Sequence, residues 1–287
     1  MTRTSAAALK TILITGATDG IGLEAAKLLA SQGHRVLLHG RSQARLDAAA
    51  AAAAAPGSDL PRTFLADLSR ASGAEALAAA VLESGEALDV LINNAGVFSH
   101  PDPVTPDGLD VRFAVNAIAT HVLSRRLAPH LAAGGRVVNV ASAGQAPVDL
   151  EALAGRKRLP AMEAYAQSKL ALIACTRHNA AAAAAAGPGG VPGPGSPVYI
   201  AVNPGSLLAT KMVQEAFGMA GKDVGIGART LARAALDPEF GLEDGPGGRY
   251  FCADAGRFRD PHPAAMDARE AARVVAAVEA AAGLEAG

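Results

Sequence analysis

An α/β protein of the doubly wound kind, a parallel sheet flanked by helices on both faces, is what the sequence predicts, on three observations. Short apolar runs that read as buried strands alternate with stretches of helical spacing along most of the 287 residues. Each pair of runs is far enough apart to hold a crossover helix, and right-handed crossovers put those helices on both faces. Half of the residues are hydrophobic, much of that share being alanine, which favours helix and leaves bulky packing to the Leu, Val and Ile runs.

The first run, "TILIT" at 11–15, meets the glycine-bearing "GATDGIG", and "LEAAKLLASQG" follows with helical spacing and a glycine stop at Gly33. "HRVLLHG" is a second strand; the helix after it carries an alanine run to Ala55, where "PGSDLP" ends it. The alternation continues through "RTFLADL", the helical "GAEALAAAVLESG", "LDVLINNAG", the long helix "VRFAVNAIATHVLSRRLAPHL" and the strand "GRVVNVAS". A helix from Met162 passes through "AYAQSKLALIACTRHN" into another alanine run and stops at "GPGGVPGPGSP". That segment has a linker's composition. The strand "VYIAVNPG" right after it supplies the next step of the sheet, so the segment is read as a loop and residues 1–287 as one domain. "GGRYFCAD" is expected to be a last strand and the tail from Ala265 a closing helix.

Composition excludes several classes. The 26 basic and 27 acidic residues nearly cancel, and no Lys/Arg block offers a footprint for a polyanion, so nucleic acid is not an expected partner. Cys175 and Cys252 have no CxxC or Cys/His ligand spacing, which argues against a metal site or a disulfide framework and suits a reducing compartment. Neither a leader peptide nor a run of about 18 uncharged apolar residues is legible. A cytoplasmic protein with no membrane partner is the expectation.

In "TGATDGIG" the glycines fall at 16, 20 and 22, after a strand and at the mouth of a helix. Glycine lets the backbone turn tightly and approach a pyrophosphate, and the first N–H groups of a helix are unpaired donors at a positive dipole end. Gly16, Thr18, Asp19, Gly20, Ile21 and Gly22 are therefore candidate cofactor contacts, although the same pattern also makes an ordinary βα turn. At the end of the second strand a carboxylate would favour ribose hydroxyls and an arginine a 2′-phosphate. Arg41 and Ser42 stand there, with no acid between Arg35 and Asp47, so NADP(H) is expected over NAD(H); the alternative is that Arg41 is merely solvated.

Four residues along a helix return to nearly one face, so Tyr165 and Lys169 can project to one site. A free phenol, with a pKa of about 10, is a poor base at neutral pH, but an adjacent ammonium favours phenolate, as would an oxidised nicotinamide ring. The tyrosine could then exchange a proton with an alcohol or carbonyl oxygen. The alternative is a partly buried tyrosine beside a snorkelling lysine.

Six motifs in order, "TGATDGIG", "NNAG" at 93–96, Asn116 in "FAVNAIA", Ser142 in "VNVASAG", "YAQSK" at 165–169 and "NPG" at 203–205, resemble those of the short-chain dehydrogenase/reductase family, a Rossmann fold, over nearly the whole chain. The resemblance implies that Tyr165 is the acid/base and that Lys169 lowers its pKa and holds the nicotinamide ribose. It implies that Ser142 binds the substrate oxygen and that the Asn116 backbone holds a water on a proton path. It also implies that Asp67 and Leu68 contact adenine, that Asn94, Ala95 and Gly96 lie along the ribose, and that Pro204, Gly205 and Leu207 lie beside the carboxamide. Thr210 falls one residue later than the family's threonine.

The 23-residue separation of Ser142 and Tyr165, with "YAQSKLALIACTR" and "GGRYF", resembles the branch of retinol dehydrogenases and related NADP-dependent oxidoreductases. The small-molecule substrate, an alcohol or carbonyl compound, is expected to meet the segments 143–163 and 206–228. Leu207, Met212, Phe217 and Met219 line an apolar pocket or form the packed face of a lid helix. "GRKR" at 155–158 steers an anion or is a solvated loop, and His39 and His178 are read as structural or surface residues. The resemblance makes a homodimer or homotetramer plausible. The alternative function is an NADP-binding regulatory protein without turnover.

Overall fold

The computed structural model describes residues 8–187, 193, 195–241 and 248–284. The first half comprises β1 (Thr11–Ile14), α1 (Gly20–Ser31), β2 (Arg35–Gly40), α2 (Gln43–Ala53), β3 (Arg62–Leu65), α3 (Ala71–Glu83) and β4 (Val90–Asn93). Next, α4 (Val111–Phe113) runs into a π-helical turn over Ala114–Ala119 and on into α5 (Thr120–Leu127). Then come β5 (Arg136–Val140), α6 (Leu150–Leu153), α7 (Ala161–Ala185), β6 (Val198–Asn203), α8 (Lys211–Phe217) and α9 (Gly225–Leu236). The chain closes with β7 (Arg249–Cys252), β8 (Arg257–Arg259), α10 (Pro263–Met266) and α11 (Ala268–Ala282).

The strands form one sheet in the order β3-β2-β1-β4-β5-β6-β7-β8, parallel except for β8, which pairs antiparallel with β7. Side chains alternate across it, as the twofold period of a strand dictates. Ile12 and Ile14 pack with Val36, Leu38 and the α1 and α9 residues Leu29 and Leu231 on one face. Leu13 packs with Leu37, Leu91 and the α3 and α5 residues Leu77 and Leu123 on the other. Burial on both faces explains why these strands read as unbroken apolar runs. Strand order reverses between β1 and β4, and the crevice beyond their carboxyl ends is where such sheets bind ligands.

The expected continuous helix over 111–131 contains the π-helical turn instead. Its cause is Asn116, whose Oδ1 accepts from Val97 N–H at 2.8 Å and whose Nδ2 donates to Val97 O at 3.0 Å and Ser168 Oγ at 2.9 Å. Such turns frequently mark functional sites. The segment 206–228 is not all loop, since α9 begins within it and packs in the core. β8, with no apolar run of its own, escaped the sequence reading. Residues 188–192 and 194 of the Pro/Gly loop, 242–247 before β7 and 285–287 of the tail lie outside the described residues; β5 and β6 on either side of that loop pair in register.

Candidate active site

A cleft of about 660 Å³ opens at the carboxyl ends of β1, β4, β5 and β6. Its floor begins at the glycine loop. Gly16 has φ +62°, and a Cβ there would sit 2.8 Å from Ala95 Cα. A Cβ on Gly22 would sit 2.4 Å from Asn94 Nδ2 and 2.5 Å from Gly16 O, so both positions exclude any larger residue. Asn94 explains the second contact, because its Nδ2 donates to Thr15 O at 2.9 Å and Gly16 O at 3.0 Å. Its side chain therefore ties the end of β4 to the glycine loop.

His39 braces the same loop from β2. Its Nδ1 accepts from Gly16 N–H at 3.3 Å and its Nε2 meets Ala66 O at 3.2 Å, an arrangement that fixes a neutral imidazole with the proton on Nε2. Burial pushes its pKa down to about 4. The sequence reading of His39 as structural holds, but the residue also lines the cleft.

Thr18, Asp19, Gly20, Ile21, Arg41, Ser42, Asp67 and Leu68 line one end. Arg45 joins them, with its guanidinium 2.8 Å from Asp19. The sequence reading missed Arg45, although a second arginine in the first turn of the helix after Arg41 was a usable signal. Asp19 also caps α1, accepting from Gly20 N–H at 2.7 Å.

Ala95, Gly96, Ser142, Tyr165 and Lys169 line the other end. Lys169 is buried, its ammonium donates to Val140 O at 2.7 Å, and its Nζ lies 5.7 Å from the centre of the Tyr165 ring, so both side chains share one helix face. A Cβ on Gly96 would stand 3.5 Å from Asn116 Oδ1 and 3.6 Å from Lys169 Nζ, which brings Asn116 beside the lysine from behind the cleft wall. Asn116 and Gly22 do not reach the cleft surface. Phe98 meets Tyr165 edge-on at 5.1 Å.

Burial pushes Tyr165 up, with a Ser142 hydrogen bond pulling the other way, and burial also pulls Lys169 down to about 7. Ser142 is held by its backbone: its carbonyl accepts from Tyr250 Oη at 3.0 Å and from Gln145 Nε2 at 3.0 Å.

Pro204, Gly205, Ser206, Leu207, Leu208, Thr210, Lys211, Met212 and Val213 form the rim. Leu207 has φ 56°, the only positive φ outside glycine among the described residues, a conformation costing about 1–2 kcal/mol. Thr210 caps α8 through Val213 N–H at 3.3 Å, and its methyl lies against the glycine loop. Met219 lies outside the lining and is exposed, and the Phe217 side chain is outside the described residues.

One expectation about loops is corrected, and of the two readings of "GRKR" the solvated loop is the one that holds. Of the segment 143–163, only Gly144 and Met162 line the cleft, because Ala152 and Leu153 pack into the core with α7 and α11. "GRKR" does not face it either: Arg156 pairs with Glu151 at 2.6 Å, Lys157 with Asp149 at 2.7 Å, and Arg158 donates to Gly108 O at 3.1 Å. No helix among the described residues is long and apolar enough to cross a membrane.

A family profile described as short chain dehydrogenase matches residues 10–219. The oxidoreductase calI of Penicillium decumbens is 36% identical over 177 residues, covering 57% of this chain and 51% of that protein. Retinol dehydrogenase 12 of Mus musculus is 35% identical over 207 residues, covering 70% of this chain and 62% of that one. The chain thus spans between 51% and 62% of the length of these curated relatives. An uncharacterised protein from Mycobacterium paratuberculosis shares the fold with a TM-score of 0.75 and 28% identity, over 97% of this chain and 95% of that one.

Proposed function

The chain belongs to the short-chain dehydrogenase family, and we propose that it interconverts an alcohol and a carbonyl compound with NADP(H), Tyr165 serving as acid/base. One observation carries the reading: Ser142, Tyr165 and Lys169 meet on one wall of the cleft that ends at the glycine loop. The residues fit a dinucleotide. Gly16 and Gly22 keep the loop close to the sheet, the amino end of α1 lines the cleft, and Arg41 and Arg45 supply the charge that would suit a 2′-phosphate.

When bound, the nicotinamide supplies or accepts the hydride. In reduction the Tyr165 hydroxyl gives its proton to the carbonyl oxygen while the Ser142 hydroxyl donates a hydrogen bond to the charge growing there. In oxidation Tyr165 takes the alcohol proton instead. Lys169, protonated, stabilises the phenolate left behind and stands beside Asn116, the side of the wall through which a proton would pass on.

We extend the reading to residues 1–287 as one domain acting on a small molecule, with a partly apolar pocket walled by Phe98, Leu207 and Met212. A reducing cytoplasm suits Cys175 and Cys252, both free and buried. The test is to supply purified protein with NADPH deuterated at C4 and a panel of aldehydes and ketones. Deuterium on the product carbon is expected; NADPH consumption by none of the panel would refute the reading.

A further inference from the structure

Asp254 follows β7 and closes onto the loop after β6, which is 48 to 51 residues earlier in the chain. Its Oδ1 accepts from Ser206 N–H at 2.9 Å. Its Oδ2 accepts from the Ser206 hydroxyl at 2.5 Å and from Asn203 Nδ2 at 2.8 Å. Burial works against the charge, but these bonds and the nearby Lys222 outweigh it and hold the carboxyl below its ordinary value.

Ser206 adjoins Leu207, the one left-handed non-glycine residue among those described. On its far side the chain is fixed again. Leu207 O accepts from Lys222 N–H at 2.7 Å, and Ala209 N–H donates to Lys222 O at 2.6 Å. Leu208 is buried against α9 so closely that a Cβ on Gly227 would lie 2.7 Å from its Cδ1. A strained residue persists only where its surroundings over-determine it. Here the surroundings are Asp254 on one side and the Leu208–Lys222 pairing on the other.

We propose that Asp254 is a positioning residue of this site: by clamping Ser206 it holds Leu207 in the left-handed conformation that puts its side chain at the cleft rim, so the loop is shaped before nucleotide arrives. The clamp rests on the proposed cofactor only for the identity of the ligand. Without it Leu207 relaxes, the rim opens, and binding must first restore the loop.

Three proteins test this, wild type, Asp254→Ala and Asp254→Ala with Leu207→Gly, by amide hydrogen exchange and by the fluorescence of titrated NADPH. Asp254→Ala should speed exchange about tenfold at 204–210 and leave the rest of the sheet unchanged. NADPH Kd should rise about tenfold, with KM following it and kcat within about threefold. Glycine adopts the left-handed conformation freely, so Leu207→Gly should restore part of the lost protection, which a general loss of stability would not allow. Unchanged exchange at 204–210, acceleration spread across the chain, or no rescue by glycine would each overturn the proposal. Should Asp254→Ala not fold, Ser206→Ala removes one of the three bonds and should give a smaller change at the same amides. A wild type that does not bind NADPH refutes the cofactor reading, while the exchange comparison still judges the clamp.

Discussion

The floor of the cleft and its rim are built in opposite ways. At the floor, Gly16, Gly22, Asn94 and His39 close a set of direct contacts that tie the glycine loop to β2 and to the end of β4. At the rim, Leu207 is strained, Met212 and Val213 are only half-buried, and the loop hangs on Asp254 and one backbone pairing with Lys222. The floor is set by direct contacts of the glycine loop; the rim is held at a distance, by a carboxylate that follows β7. The proposed chemistry lies between them, at Ser142 after β5 and at Tyr165 and Lys169 on α7.

That contrast breaks most visibly at the wall. Tyr165→Phe keeps the ring that Phe98 packs against and removes only the proton carrier, so turnover should fall about 10²- to 10⁴-fold with nucleotide affinity unchanged. Steady-state kinetics beside an NADPH titration checks it. Next in size is Arg41→Asp, which should weaken NADPH about 10- to 100-fold and NADH far less, since a charged hydrogen bond to the 2′-phosphate is lost and a like charge gained. Equal losses would remove Arg41 from that role.

The smallest effect concerns the floor. His39 titrates at about 4 in the folded chain and at about 6.5 when unfolded, so the unfolded state binds the extra proton between these values. Stability is then full above about pH 6.5 and falls as the pH drops toward 4, by about 2 kcal/mol for this residue after discounting. His121, pulled down to about 4 by burial beside Glu279, adds a similar slope. Denaturant unfolding of His39→Leu between pH 7 and 4.5 should show roughly half of the histidine-dependent slope; an unaltered slope would mean that the imidazole is not the buried group.

Much of the floor was legible in the sequence because its causes are local. Glycine spacing, the strand before it and the arginine after β2 each follow from a few adjacent residues. So does the pairing of Tyr165 with Lys169, which needs only the helical period. The corrected features depend on contacts between distant segments. The π-helical turn exists because Asn116 reaches Val97 and Ser168; the clamp exists because β7 lies beside β6; and segment 143–163 turns away because Leu153 finds a core on α7 and α11. The upward push on Tyr165 was illegible for the same reason, since burial belongs to the fold and not to the YxxxK spacing.

The central claim is that Lys169 and a bound oxidised nicotinamide together make Tyr165 a usable acid/base, and ultraviolet titration of phenolate tests it directly. The chain has three tyrosines. Burial pushes Tyr199 up to about 12 and Tyr250 higher still, so phenolate absorbance below pH 10 reports Tyr165 alone. Without nucleotide no phenolate should form below about pH 10; with NADP⁺ bound it should appear at least about one unit lower, vanish in Tyr165→Phe and move back up in Lys169→Met. A titration that NADP⁺ leaves unmoved, or that Lys169→Met leaves unchanged, would contradict the account.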